Sequence, residues 1–489
     1  MSLILLKNRT DNIFLIIVVV AYLILTIISL NNCYFWDNIQ QISKEANWFY
    51  LNGLSSILGP SSLSSEIATT GYHPPLMGIM TAVLWNVFGY KLWVSHIFVL
   101  LWAIVLIYNA WKIIRFLFPV NYSGWVLLIV MLEPTILTQY FISSPDFILF
   151  TAFVISIRAV LERKPLLLTI GVFFICCINM RGIFVGGILL IVHCYYSYIQ
   201  QNKKLDFQSF INIFLSYLPT ILLLIAYFTY YLVERGWFFS GTSKSGHYAI
   251  PNGVGRIINH FAEFGLRSVE NGRIFIWSLA IYVTYMTLKS KIRLTQSEQF
   301  LSSFFLLLTG LYVLFIFITQ MPFSARYFMP QFLLLTVLTL LGLIKFINNR
   351  QLIICFVLIV CFELTGHFWI YPEKIAKSWD CTLAHLPYYE LRSDCFKYIE
   401  HHQIDYNDIS SGFCLYGNRR YIELLNTDKK ISNNPNNKYF IYSNISNIDD
   451  SLSVDFKNKT LWSPIKKFEK WPVSITIYKN NMYHENKKL

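Results

Sequence analysis

Residues 13–30 read IFLIIVVVAYLILTIISL, eighteen consecutive positions without a charge. An α-helix rises about 1.5 Å per residue, so a hydrocarbon core about 30 Å thick needs about 20 mostly apolar residues. No small-residue cleavage site follows the run, so it predicts a retained transmembrane helix rather than a signal peptide. The same reading finds ten more segments, which makes eleven predicted spans: 12–31, 93–115, 123–141, 146–162, 165–179, 182–199, 208–232, 273–289, 299–319, 328–346 and 351–368. Composition agrees. Of 489 residues, 55% are hydrophobic and only 14% charged, against roughly 25% charged in soluble chains. A chain this poor in charge cannot coat a water-soluble globule, and disorder, collagen, coiled coil and disulfide miniproteins are excluded as well. The fold class is a polytopic α-helical membrane protein.

The net charge of +13 does not point to nucleic acid, because the basic residues form no single patch. They recur in twos and threes between apolar runs: Lys7 and Arg9, Lys112 and Arg115, Arg163 and Lys164, Lys203 and Lys204, Lys289, Lys291 and Arg293, Lys345 and Arg350. With eleven spans these all fall on one side, which the positive-inside rule makes cytoplasmic. The C-terminus is then outside, in keeping with a bacterial inner membrane. The run LMGIMTAVLWNVFG at 76–89 is short for a crossing. Read as a span, it would turn every later basic pair outward, so it predicts a helix lying in or dipping into the interface; the alternative is a true span, giving twelve. A transmembrane domain therefore covers 1–368, with outer loops at 32–92 and 233–272. The remainder, 369–489, is rich in Asn, Asp, Lys and Tyr. Its alternating YFIYSNI and SITIYK predict strands, and Tyr388 to His401 a helix, giving a small α/β unit on the outer face. No CxxC is present. Cys381 and Cys395 are a candidate disulfide in that oxidising compartment.

The outer face collects polar residues at loop–helix junctions. Asp37 stands in CYFWDNIQQISKEANWFYLNG at 33–53. It reads either as a helix cap or as a carboxylate held at the membrane surface among Trp36, Trp48 and Tyr50, placed to act as a general base. His73, in GYHPPL, precedes two prolines that hold the chain extended. It is a loop position or a ligand for phosphate or metal. Asp146 in SSPDFILF is a cap or a second cavity carboxylate. Arg181 in INMRGIF and Arg326 in PFSARYFMP interrupt apolar runs. A charge so placed is costly without a partner, and a guanidinium suits phosphate oxygens; the plain alternative is snorkelling to headgroups. The second large loop carries His247, His260, Arg256, Arg267 and Arg273 and is long enough to be functional.

An acidic residue after the first span, a polar loop with a helix, HPPL before an interfacial run ending in FG, SPD opening a later helix, then RYFMP: this order resembles the C-type glycosyltransferase (GT-C) superfamily. Within it the likeness is to protein O-mannosyltransferases and lipid A aminoarabinose transferases, over roughly residues 10 to 370. The resemblance implies an extracytoplasmic enzyme that moves a sugar from a polyprenyl-phosphate donor to a hydroxyl acceptor on protein, lipopolysaccharide or another glycan, with inversion. It implies Asp37 as catalytic base; His73, Asp146, Arg181, His247, Arg326 and Tyr327 bind substrate. Many relatives have Asp-Glu where this chain has Asp37-Asn38. The resemblance implies no obligatory cofactor. Some members hold a divalent metal, for which His73 and His247 are the candidate ligands. The competing readings are a transporter, which would place ionisable groups near the midplane, and a ligase or polymerase of lipid-linked oligosaccharides.

Overall fold

The computed structural model of the protein describes residues 2–58, 73–201, 206–236, 251, 253–320, 322–369, 378–446, 455–456 and 458–483. The helices run α1 (Ser2–Ser29), α2 (Glu45–Asn52), α3 (Leu76–Phe88), α4 (Leu92–Leu117), α5 (Val120–Leu132), α6 (Pro134–Phe141), α7 (Pro145–Leu161), α8 (Pro165–Ile178), α9 (Met180–Gln200), α10 (Phe207–Arg235), α11 (Val254–Val269), α12 (Ile274–Ser290), α13 (Gln296–Ile318), α14 (Met329–Phe346) and α15 (Asn349–Gly366). Their starts are capped as the sequence dictates. Asp206 accepts from Ser209 N–H, while Thr295 with Glu298 and Asn348 with Gln351 form reciprocal capping boxes; such caps contribute typically about 1 kcal/mol each.

Each of the eleven predicted segments is helical, 123–141 as two helices, α5 and α6. Among the described residues, seven helices are long and apolar enough to cross a bilayer, or eight if α5 and α6, bent by 59°, form one broken span. The break falls at Glu133-Pro134, where proline pushes the preceding residue out of helical geometry. At α8 the helix stops after 14 residues, about 21 Å of rise, because Asn179 is extended and caps α9. The run at 76–89 forms the separate helix α3, of 13 residues. The chain is an integral membrane protein.

The helices α7 and α14 lie at the centre of the bundle. All of α7 is buried, and α14 is buried through most of its length, as expected of helices that are apolar all round. Around them the apolar faces of α1, α4, α5, α8, α9 and α13 form one continuous core. The starts of α7 and α14 meet at one end of the bundle, which fixes where any polar group at those starts must lie.

The tail folds over that same end. It holds α16 (Pro387–His401), α17 (Arg419–Glu423), and the strands β1 (Ile409–Ser411), β2 (Gly417–Asn418), β3 (Lys430–Ile431), β4 (Tyr439–Ser443), β5 (Trp462–Lys470) and β6 (Val473–Asn480). The main sheet has the order β1-β4-β6-β5, with β1 and β4 parallel and the other pairs antiparallel. Both strand-forming motifs read from the sequence, and the helix, are present. The expected Cys381–Cys395 disulfide is not: both thiols are free. They belong to different apolar clusters, Cys395 with the core of the tail and Cys381 with Phe323 and Phe328. The tail docks through the residues just ahead of Asp37. Phe35 stacks on His385 with ring centroids 4.6 Å apart, and Trp36 meets Phe413 at 5.2 Å.

A tight crossing closes the other flank. Gly272 has φ +85°, and a Cβ there would lie 2.0 Å from the Phe362 carbonyl oxygen near the end of α15. Left-handed backbone costs a residue with a Cβ about 1–2 kcal/mol, and overpacking adds about 1–3 kcal/mol. Gly272→Ala is therefore expected to lower the unfolding midpoint in detergent by several degrees or abolish folding, as thermal melting would show.

Candidate active site

Asp37 reaches its position through a backbone held in a sparsely populated conformation. Trp36 has φ 57°, uncommon for a bulky residue and worth noting where function is suspected. The Trp36 ring, buried against the tail, secures the turn. The helical turn that follows (Ile39–Lys44) takes no side-chain cap, so the cap reading of Asp37 does not hold. Its carboxylate pairs with Arg326. Asn38 donates its amide N–H to the Ile142 carbonyl at 2.8 Å. An ionised carboxylate accepts only, so the residue that replaces the second acid of the Asp-Glu pattern has a fixed structural task.

Arg326 lies in a short 3-10 turn (Ala325–Phe328) leading into α14. Its side chain is 5% exposed, so snorkelling does not describe it. Three carboxylates surround its fork: Asp37 on one Nη, Asp380 Oδ2 at 2.9 Å from the other, and Asp146 Oδ2 at 3.4 Å from Nε. Asp146 sits in the first turn of α7, where the cap is Ser144, whose hydroxyl accepts from Asp146 N–H. That frees its carboxylate to accept from Arg181 Nη2 at 2.6 Å and from Asn179 Nδ2 at 2.9 Å. The Arg181 guanidinium lies 3.6 Å from the Tyr327 ring centroid, a cation–π contact, and Arg326 lies 5.3 Å from the same ring. Thus Asp37, Asp146, Arg181, Arg326 and Tyr327 form one cluster.

His73 joins its edge. Its Nδ1 accepts from Met180 N–H at the start of α9, at 3.2 Å, so the ring proton resides on Nε2. Burial and the nearby Arg181 push its pKa down to about 4, against the opposing pull of Asp146 and Asp37. His73 is therefore a neutral N–H donor at neutral pH rather than a cation. Protonated at Nε2, with Nδ1 accepting, it offers no lone pair to a metal. Asp37 and Asp146 are likewise held by arginines. Among the described residues no three His, Cys, Asp or Glu side chains converge as a metal site. His247 lies outside the described residues.

The large second loop contributes elsewhere. Arg267 pairs with Glu270, and Arg273 pairs with Glu133, which also caps α6. His260 is buried on α11. The residue that the sequence did not single out is Asp380, in the turn Trp379–Cys381 where the tail meets the bundle. It is 3% exposed. Burial raises its pKa above the ordinary carboxylate range, with Arg326 opposing and Asp37 adding to the rise. The only signal was a Trp-Asp-Cys triplet in a polar tail. Of the three carboxylates on Arg326, Asp37 alone is substantially open, at 31% exposed against 5% for Asp146 and 3% for Asp380.

Removing Arg326 leaves Asp37 and Asp380 without their cation, while Asp146 keeps Arg181. Breaking a buried pair from one side costs about 3–5 kcal/mol. Arg326→Gln is expected to melt markedly below the parent, and Arg326→Gln combined with Asp380→Asn to recover part of the loss in the same melting assay.

No family model and no curated protein matches the sequence. Solved structures do match in fold. ArnT from Cupriavidus metallidurans bound to undecaprenyl phosphate aligns with a TM-score of 0.51 at 9% identity, over 94% of this chain and 97% of that one. The apo form of the same protein gives 0.52 at 10% identity with the same coverage. The polytopic architecture with its C-terminal unit is thus the fold of ArnT, over nearly the full length of both chains.

Proposed function

We propose that this chain is a membrane glycosyltransferase of the GT-C type, using a polyprenyl-phosphate-linked sugar as donor and a hydroxyl group as acceptor on the extracytoplasmic face. The observation that carries the reading is the partly open Asp37 carboxylate paired to a buried Arg326. It puts a proton acceptor and an oxyanion-binding fork within one contact of each other at the bundle end. The ArnT fold supports it, and that protein was captured with undecaprenyl phosphate.

In this reading the donor phosphate takes N–H groups of Arg326, which releases Asp37. Asp37 then accepts the proton of the acceptor hydroxyl as its oxygen attacks the anomeric carbon. The bond from that carbon to the phosphate oxygen breaks on the opposite face, so configuration inverts. The electron pair leaves with the polyprenyl phosphate, whose charge meets Arg326, Arg181 and the Nε2–H of His73. Preorganised donors in a site shielded from water stabilise such charge far better than water does. Tyr327 holds Arg181 from beneath by its ring, and Asp146 with Asn179 fixes the guanidinium sideways. Asp146 is the positioning carboxylate: it is buried and has two further donors to satisfy. The apolar channels between the helices take the isoprenoid tail.

The test is transfer from a radiolabelled polyprenyl-phosphate sugar in membranes. General-base catalysis typically contributes about 10²–10⁴-fold. Asp37→Asn should fold and lose transfer by about that factor, with Asp146→Asn losing less. Near-normal transfer by Asp37→Asn beside an inactive Asp146→Asn would move the base to Asp146.

A further inference from the structure

The cluster holds more negative charge than its task requires. Asp37, Asp146 and Asp380 face the guanidiniums of Arg326 and Arg181, three carboxylates against two cations with His73 neutral. An anionic phosphate would enter against this excess. Two of the carboxylates have other duties, Asp37 toward the acceptor hydroxyl and Asp146 toward Arg181 and Asn179. Asp380 has none. Its Oδ1 receives a long contact of 3.6 Å from the Cys381 thiol. Its Oδ2 lies 2.9 Å from Arg326 Nη1 but makes no aligned hydrogen bond, although it is fully buried. Arg326 Nε is likewise buried without an aligned acceptor.

We propose that Asp380 is a placeholder for the donor phosphate: in the empty site its carboxylate occupies one edge of the Arg326 fork, and the phosphate displaces it. This rests on the donor reading above and names what occupies the Arg326 fork until a phosphate arrives. The backbone around Asp380 is clamped. Gln139 donates to the Asp380 carbonyl at 2.6 Å, Ser378 to Glu270 at 2.9 Å, and Thr382 to the His367 carbonyl at 2.6 Å. The exchange is therefore a rotation of one short side chain, with the strap 378–385 staying where it is. A carboxylate and a phosphate present the same kind of oxygens to a guanidinium fork, and the phosphate offers more of them. Because the strap leads directly into the C-terminal unit, that unit supplies a group to the site rather than merely covering it.

Binding of farnesyl phosphate to the full-length protein in detergent micelles, read by isothermal titration calorimetry, tests this. Where a competing group fills the site in about nine molecules of ten, removing it tightens apparent affinity about tenfold. Asp380→Asn is expected to bind farnesyl phosphate about tenfold more tightly than the parent, and Asp380→Ser, with no carboxylate and less volume, to do the same. Unchanged or weaker binding by either folded variant beside a binding parent would overturn the placeholder and leave the donor reading standing. Absence of binding by the parent and both variants would overturn the donor reading and the placeholder with it.

Discussion

A guanidinium enclosed among apolar helices cannot stand alone, because removing a charge from water costs several kcal/mol unless partners replace the lost hydration. Arg326 meets that constraint with carboxylates drawn from three distant parts of the chain: Asp37 after α1, Asp146 at the start of α7, and Asp380 where the tail begins. The first loop, the two central helices and the C-terminal strap are thus tied to one charge. The apolar packing of α7 and α14 determines where that charge sits, and the aromatic docking of Phe35 and Trp36 keeps the first carboxylate facing it.

Much of this was legible in the sequence because lipid makes charge conspicuous. Asp37, Asp146, Arg181 and Arg326 stand out as ionisable groups at the ends of apolar runs, and the structure brings all four together, with Tyr327 beneath Arg181 and His73 at the edge. Asp380 was not legible for the opposite reason. One more aspartate in a polar tail carries no signal, and only the fold-back of that tail gives it meaning. Helix bounds differ locally. Hydropathy sees the run 123–141 as continuous, whereas Glu133-Pro134 bends it, and Asn179 stops α8 after 14 residues. The Cys381–Cys395 pairing rested on the redox character of a compartment, and the two thiols belong to separate clusters.

The same arrangement gives the four polar partners distinct tasks by environment alone. Asp37 is the carboxylate that solvent can reach. Asp146 is enclosed and donor-saturated, which suits holding rather than reacting. Arg181 is pinned by a ring and a carboxylate, a preorganised cation. His73, neutral with its Nδ1 engaged, contributes a hydrogen bond without adding charge. The cluster lies at one end of the bundle beneath the C-terminal unit, the placement on which the proposed transfer from a membrane-borne donor rests. A transporter would have its ionisable groups near the midplane.

The central claim is that the Arg326 fork is the seat of a polyprenyl phosphate. The direct measurement is a cryo-EM structure of the protein in lipid nanodiscs with undecaprenyl phosphate added. The account predicts phosphate density against Arg326, with Asp37 turned toward the open cavity and the isoprenoid running between helices. Phosphate density bound elsewhere, with Arg326 still enclosed by Asp37, Asp146 and Asp380, would contradict it.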